Sequence, residues 1–426
     1  MQILVARQPI FDRSDALYGY DLMLRRSGGD GGDQPAPEQL VVDTFLGIGI
    51  DQVAAGRRAF VRVDRDMILS GAIRLLPAER VVLQLPADAD ADAELMAVCE
   101  QLRWARYSFS VESPTPETLS DEILRFVQIV KIDVAGTKPE FLAELAPWLR
   151  GCGVTLLAVR VPQRDQRDKC RALGFELFEG HGFSAPETLT RRDLPIEHIA
   201  TFRLLKLMRD QKTSDVEIEE LLKRDVSLSY KLLRMVNSAA VGGRNIWSIG
   251  HALRLLGRDY VIRWLGMLLV TDGKRDGVRS ELIHLSLFRA RMCELLATAS
   301  GIPRARGPLF LVGMFSVLDQ LLETPMEKLA DSMELASDVR IALLERGDFY
   351  GEVLSLIEAY ERGEWEIVDA LAPILGISTA DLPPLYLAAL AWATEQQAPP
   401  ESVPAANRSA GRASVGSTNA APRLRK

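Results

Sequence analysis

The feature that most constrains this chain is a change of rhythm partway along its 426 residues. Up to about Leu189, short β-rich runs alternate with helical stretches. "QILVA" opens the series and "RAFVRVD" follows the helix-like "PEQLVVDTFLGIG". "RVVLQLP", "YSFSVE", "VQIVKIDV", "VTLLAVRV" and "FELFEGHGF" come after. Strands spaced by helices predict βα units and a parallel sheet. Seven or so strand candidates favour a TIM-like barrel, and a trimmed one, because a full βα barrel takes ~250 residues. From "RRDLPIEHIATFRLL" to about Trp392 almost every signal is helical. In "SDVE", Ser214 can cap the amide of Glu217 while Glu217 reaches back. "SLSYKLLRMVNS" and "SIGHALRLLG" carry helical apolar spacing, with Gly257 placed to end the second. "DYVIRWLGMLLVTD" is apolar nearly all round, which predicts a central, buried helix. The expected division is an α/β barrel over 1–190, an all-α domain over 191–395 and a disordered tail over 396–426.

The tail is rich in Ala, Pro, Ser and Gly and cannot bury enough apolar surface to offset ordering. It is locally basic, through Arg408, Arg412, Arg423, Arg425 and Lys426. A basic tail can touch anionic partners, but a solvated tail without a dedicated partner is the plainer reading. Residues 27–37, "SGGDGGDQPAP", read as a flexible loop whose glycines do not match a phosphate-binding pattern. "DADADAE" has the look of a calcium loop, but Ala93 and Cys99 stand where its glycine and last glutamate belong. Acids favouring a helix start explain it better. A net charge of -7 argues against a general nucleic-acid binder. No apolar run approaches the ~20 residues of a membrane helix. The four cysteines (Cys99, Cys152, Cys170, Cys293) lack metal spacing and read as reduced, mostly buried thiols. With no signal peptide before "MQILVARQPIF", a cytoplasmic protein is expected.

One detail stands out against this background. "YGYDLMLRR" puts an acid, Asp21, inside an apolar run, with Arg25 four residues on. A buried carboxylate must be paired. Together with "ARQPIFDRSDALYGYDLMLR", "IVKIDVAGT", "LLAVRVP" and "GFELFEGHGFSAP", this stretch resembles an EAL domain, the barrel of cyclic di-GMP phosphodiesterases. "DVSLSYKLLRMVNSAA", "IGHALRLLG" and "LFLVGMFSVLDQLLETPMEKL" extend the likeness to an EAL–HDOD signalling protein, covering nearly everything except the tail.

In active EAL enzymes, acids and an Asn or Gln at the strand ends bind two divalent metals, which activate a water against one phosphodiester. Oxygen ligands suit Mg²⁺ or Mn²⁺. The resemblance places the signature Glu at Asp21 and keeps the following arginine as Arg25. It puts the second-strand Asn at Arg62 and the third-strand Glu at Gln84. The Asp-Asp pair falls on Glu112 and Ser113. The lysine is kept as Lys131, followed by Asp133. Later positions fall on Val159, Pro162 and Glu179, with His181 in place of a tyrosine. Asp21 is one methylene short. Arg62 puts a fixed cation where a neutral oxygen should bind, Gln84 lacks a charge, and Val159 binds nothing. Asp21, Glu112, Asp133 and Glu179 could still collect one cation, but a complete two-metal site is not expected. Asp21 reads as a remnant whose partner is a basic group such as Arg62 or Lys131. Arg25, Lys131 and Arg160 could supply phosphate contacts in a receptor, with Arg25 the best candidate. The alternative is that these charges knit the barrel rim.

HDOD domains resemble HD phosphohydrolases without the metal-binding His-Asp pair. Here Ser316 and Val317 stand near that place. His284 falls about where an HD enzyme has an upstream ligand, His251 has no acid at the next position, and the remaining histidine of this half is His198. All three read as packed or exposed side chains. "VNSAAVGG" and "LLG" look like tight spots where helices approach closely. There is no GxSxG and no CxxC. The expected function is a non-catalytic adaptor that acts on other signalling proteins and needs no cofactor. A cyclic di-GMP receptor without turnover, and a working phosphodiesterase, are the alternatives. The resemblance implies bacterial pathways of motility, biofilm or virulence.

Overall fold

The computed structural model describes residues 3–26, 49–86, 92–112, 121–161, 164–180, 196–210, 212–237, 246, 248–271, 277–333 and 335–397. The 27–37 loop, most of "PEQLVVDTFLGIG", "DADADAE" before Asp92, Ser113, Pro162, His181, most of "VNSAAVGG" and residues 398–426 lie outside it.

Eight strands close a barrel: β1 (Ile3–Asp12), β2 (Leu17–Arg26), β3 (Arg58–Arg62), β4 (Val81–Leu85), β5 (Ser108–Glu112), β6 (Ile129–Asp133), β7 (Thr155–Val159) and β8 (Leu177–Glu179). Five-residue strands such as "VVLQL" and "IVKID" are rich in β-branched residues and buried almost throughout, as strands covered on both faces require. The connecting helices are α1 (Ile50–Ala54), α2 (Arg65–Leu69), α3 (Ala93–Trp104), α4 (Asp121–Phe126), α5 (Pro139–Gly151) and α6 (Arg164–Leu173). Asp92 caps α3 by accepting from the Leu95 amide, so the last of the "DADAD" acids does start a helix.

The parallel-sheet expectation fails at one strand. β1 runs antiparallel to both β2 and β8. A tight turn joins β1 to β2 and leaves no room for the crossover that a parallel pair needs. The hairpin also outgrows the barrel. β2 pairs with β3 only up to Leu22, whereas residues 23–26 pair back with residues 3–6 of β1. Asp21 therefore lies midway along the second strand, at the barrel mouth.

The second half is all helix among its described residues. It comprises α7 (Ile196–Arg209), α8 (Asp215–Arg224), α9 (Val226–Val236), α10 (Ile249–Leu256), α11 (Arg258–Thr271), α12 (Gly277–Ala299) and α13 (Arg306–Phe315). Then follow α14 (Leu318–Leu322), α15 (Met326–Ser332), α16 (Ser337–Glu345), α17 (Asp348–Arg362), α18 (Trp365–Ile374) and α19 (Leu382–Gln397). The Ser214–Glu217 capping box is formed. Gly257 ends α10 at a φ of 76°, and a Cβ there would meet nothing. It is a helix stop and not the tight spot expected of "LLG". The close approach is at Gly313, where a Cβ would lie 2.3 Å from the Arg289 carbonyl oxygen.

The apolar "DYVIRWLGMLLVTD" helix, α11, is not the central one. It buries Val261, Trp264, Leu265 and Leu269 but exposes Tyr260. The centre is α12, which buries Glu281, His284, Arg289 and Glu294 along with its apolar residues. It packs on α13, α17 and α19. The helices grip the projecting hairpin. Strand alternation sets Leu4, Ala6, Met23 and Arg25 on one face and Arg7 and Tyr20 on the other. Leu4 and Ala6 join the helical core, and Met23 packs against it. No single described helix is long and apolar enough to cross a membrane. Cys99, Cys170 and Cys293 are buried thiols, while Cys152 is exposed.

Candidate functional site

The barrel lumen is plugged by Ile10, Phe60, Val82, Ile129, Leu157 and Leu177, which pack as one cluster. Two residues further along the same strands, the same inward face carries Arg62, Gln84, Lys131, Val159 and Glu179. Asp21 enters beside them, in register with Phe60 of β3. The layer above an apolar floor is thus charged, at the end of the barrel where βα proteins place their chemistry.

Lys131 is its centre and is fully buried. Its Nζ donates to Asp21 Oδ2 at 2.6 Å and to Gln84 Oε1 at 3.1 Å, and it lies 3.1 Å from Glu179 Oε2. The Gln84 amide donates to Glu112 Oε2 at 2.5 Å, and Arg62 donates to the same oxygen at 2.6 Å. Asp133 pairs with Arg160 and accepts from the amides of Ala135 and Gly136, closing the turn after β6. Val159 offers only methyl groups to this rim.

These contacts set the charge states. Burial would strip Lys131 of its proton, but Asp21, Glu179 and Glu112 carry its pKa above the ordinary lysine value. Burial acts to raise Glu112, yet the Lys131 and Arg62 cations hold it below the usual carboxylate range. Glu179 is pushed up to about 7, chiefly by burial, against the pull of Lys131 and with the Asp21 and Glu112 carboxylates adding to the rise.

A two-metal site needs carboxylates converging on an open point. Here Arg62 takes Glu112, Gln84 and Val159 bring no charge, and Asp21 and Glu179 both lie against Lys131. No group of three or more His, Cys, Asp or Glu among the described residues is placed to hold a metal ion. The residues present do not fit the pair of metals of an active EAL site.

The remaining candidates scatter. Lys131 and Asp21 meet, while Arg62 goes to Glu112. Arg25 lies four residues beyond Asp21, on the projecting part of β2, and pairs with Asp369 of α18 at 2.6 Å. Lys131 is fully buried, and Arg160 is two-thirds exposed at the rim. In the helical half, Ser316 donates to the Gly313 carbonyl and accepts from Arg289, and Val317 is buried. His251 is exposed, and His198 is buried edge-on against Phe202.

Several polar residues escaped the sequence reading. Tyr20 donates to Glu281 at 3.0 Å, Arg7 meets His284, and Arg289 binds Glu361 and Glu358. A cavity of about 400 Å³ opens where these meet the barrel, reaching from Gln8 and Glu179 to Phe288 and Tyr386. The only hint of it in sequence is the charge carried by an otherwise apolar α12.

The family model described as "HDOD domain" matches residues 194–335. Uncharacterized protein YuxH of Bacillus subtilis is 31% identical over 407 residues, spanning 92% of this chain and 98% of its own. The protein named cyclic di-GMP phosphodiesterase CdgJ, of Vibrio cholerae, is 31% identical over 403 residues and 92% of each chain. Among solved structures, the Bacillus subtilis YkuI protein, with an EAL domain, aligns with 60% of this chain and 72% of that one at 16% identity and a TM-score of 0.36. With an HDOD domain placed behind an eight-stranded barrel, and relatives matching nearly end to end, the chain belongs to the family in which an EAL domain, related to cyclic di-GMP phosphodiesterases, is fused to an HDOD domain.

Proposed function

We propose that this chain is a non-catalytic, cytoplasmic signalling adaptor whose output is binding to other proteins. One observation carries the reading. Each of the four mouth acids already has a protein cation: Asp21 and Glu179 share Lys131, Glu112 has Arg62 and Asp133 has Arg160. Charges satisfied inside the protein are poorly disposed to collect two divalent ions. Ser316 and Val317 stand about where the His-Asp pair of an HD enzyme would, which supports the same reading for the helical half. A fold kept without its chemistry is suited to presenting surfaces.

Equilibrium dialysis of the purified chain against labelled cyclic di-GMP with Mg²⁺, followed by chromatography of the recovered nucleotide, tests this. Neither retention nor cleavage is expected. Intact, retained nucleotide would make the barrel a receptor, with the exposed Arg160 as its first phosphate contact to examine. Linear product would restore the enzyme reading, which is favoured by the likeness to CdgJ. In that case Asp21→Asn should abolish turnover.

A further inference from the structure

We propose that the helical half binds a phosphoryl group, a dianion, at a cluster of three arginines on α11, α12 and α13. At the base of the cluster lies Glu294 of α12, whose side chain is buried. Its Oε1 accepts from Arg263 of α11 at 2.6 Å and from Arg306 of α13 at 3.2 Å, and its Oε2 accepts from Arg291 at 2.5 Å. Burial acts to raise its pKa, but Arg263 and Arg291 hold the carboxyl below the usual range, so Glu294 is charged at neutral pH. Three fixed cations against one anion leave two positive charges over. Among the described residues no second carboxylate pairs with any of the three. Guanidinium groups held together repel one another, so the cluster carries more cation than the pairing of one glutamate requires.

The surplus charge is accessible and held in place. The carboxylate is covered, while Arg263 and Arg291 are about a third exposed and Arg306 nearly half. Each guanidinium has five N–H donors and gives one hydrogen bond to Glu294, so donors remain for a ligand. Arg263 lies over the Phe310 ring, 4.9 Å from its centre, and Phe310 meets Trp392 edge-on. Arg306 opens α13, an end that no side chain caps, and its positive dipole adds to the attraction. A Cβ on the next residue, Gly307, would meet nothing within 4 Å, so the ground beside Arg306 is open. A phosphate monoester carries about −1.5 to −2 charges at neutral pH and three acceptor oxygens, which arginine forks match. A carboxylate or a phosphodiester, with one charge, would leave a cation over. The proposal therefore stands whether or not the barrel binds a cyclic dinucleotide.

Isothermal titration calorimetry of the full chain in a neutral chloride buffer tests this, with inorganic phosphate as the probe and acetate as the singly charged control. One phosphate per chain should bind with a Kd of about 1 mM or below, and acetate about tenfold more weakly or worse. Arg306→Gln leaves Glu294 with two cations. It should weaken phosphate about tenfold without moving the thermal midpoint measured in chloride alone. Arg291→Gln should weaken phosphate to a similar degree. A blocked phosphoserine tripeptide titrated in parallel separates the sources of the group. Tighter binding than phosphate places it on a partner protein, and weaker binding places it on a small molecule. Neither probe bound in the millimolar range, acetate bound as tightly as phosphate, or an affinity unchanged in both variants would overturn the inference.

Discussion

Replacing Lys131 by methionine isolates what holds the barrel mouth together. At an effective dielectric constant near 20, the ammonium attracts Asp21 at 2.6 Å and Glu179 at 3.1 Å by about 6 and 5 kcal/mol. Much of this gross attraction is offset by the cost of stripping water from all three groups. The variant, however, leaves both acids in place with no cation between them. Asp21 is 14% and Glu179 8% exposed, so water replaces only part of the lost attraction. Breaking a buried pair in this way costs about 3–5 kcal/mol. With about 2–4 °C per kcal/mol for a domain of this size, the barrel transition should fall by roughly 6–20 °C. Thermal and urea unfolding followed by circular dichroism at pH 8 would measure it. Adding Glu179→Gln to Lys131→Met should recover part of the loss, because a neutral amide needs no counter-charge. A Lys131→Met protein as stable as the wild type would refute the reasoning and imply that the acids are neutral or hydrated.

Three further outcomes are expected. Glu179 is held at about 7, above its value in an unfolded chain, so its contribution to stability is full at acid pH and is lost as pH rises from about 4.5 through 7. Urea unfolding across that window should show Glu179→Gln gaining on the wild type as pH increases, and a constant gap would count against the shift. Gly313→Ala should destabilise the helical domain by about 1–3 kcal/mol, because its methyl meets the Arg289 carbonyl at 2.3 Å and α12 and α13 must part. A thermal midpoint unmoved by that change would show that the helices separate freely. The Arg25–Asp369 pair joins the two domains but leaves Asp369 43% exposed, so a double-mutant cycle should return a coupling of only about 0.2–1 kcal/mol.

Much of the architecture was legible because it is written in local pattern. β-rich runs marked the barrel strands, and the Ser214 box and Gly257 marked helix ends where the structure has them. The direction of β1 was not legible, because "QILVARQPIF" reads the same whichever way its neighbours run. Nor was the projection of the hairpin into the helical half. The contacts that reveal it join Tyr20 to Glu281 and Arg25 to Asp369, hundreds of residues apart in sequence. At the candidate site, residue identities could be listed from the sequence, but not their partners. Either Arg62 or Lys131 could have met Asp21, and only the strand registers bring Lys131 to it and send Arg62 to Glu112. The charged side of α12 was missed for a related reason. Glu281, Arg289 and Glu294 look like a solvated helix face until their partners on β2, α11 and α17 close over them.

The central claim is that the barrel's acids are satisfied by its own cations and leave no place for a metal pair. A titration of the full chain with Mn²⁺, read by electron paramagnetic resonance as free against bound ion, tests this most directly. No site tighter than the millimolar range is expected in the wild type, and Asp21→Asn should change nothing. Two tight Mn²⁺ ions per chain, lost together in Asp21→Asn, would contradict the claim and return the barrel to the enzymes.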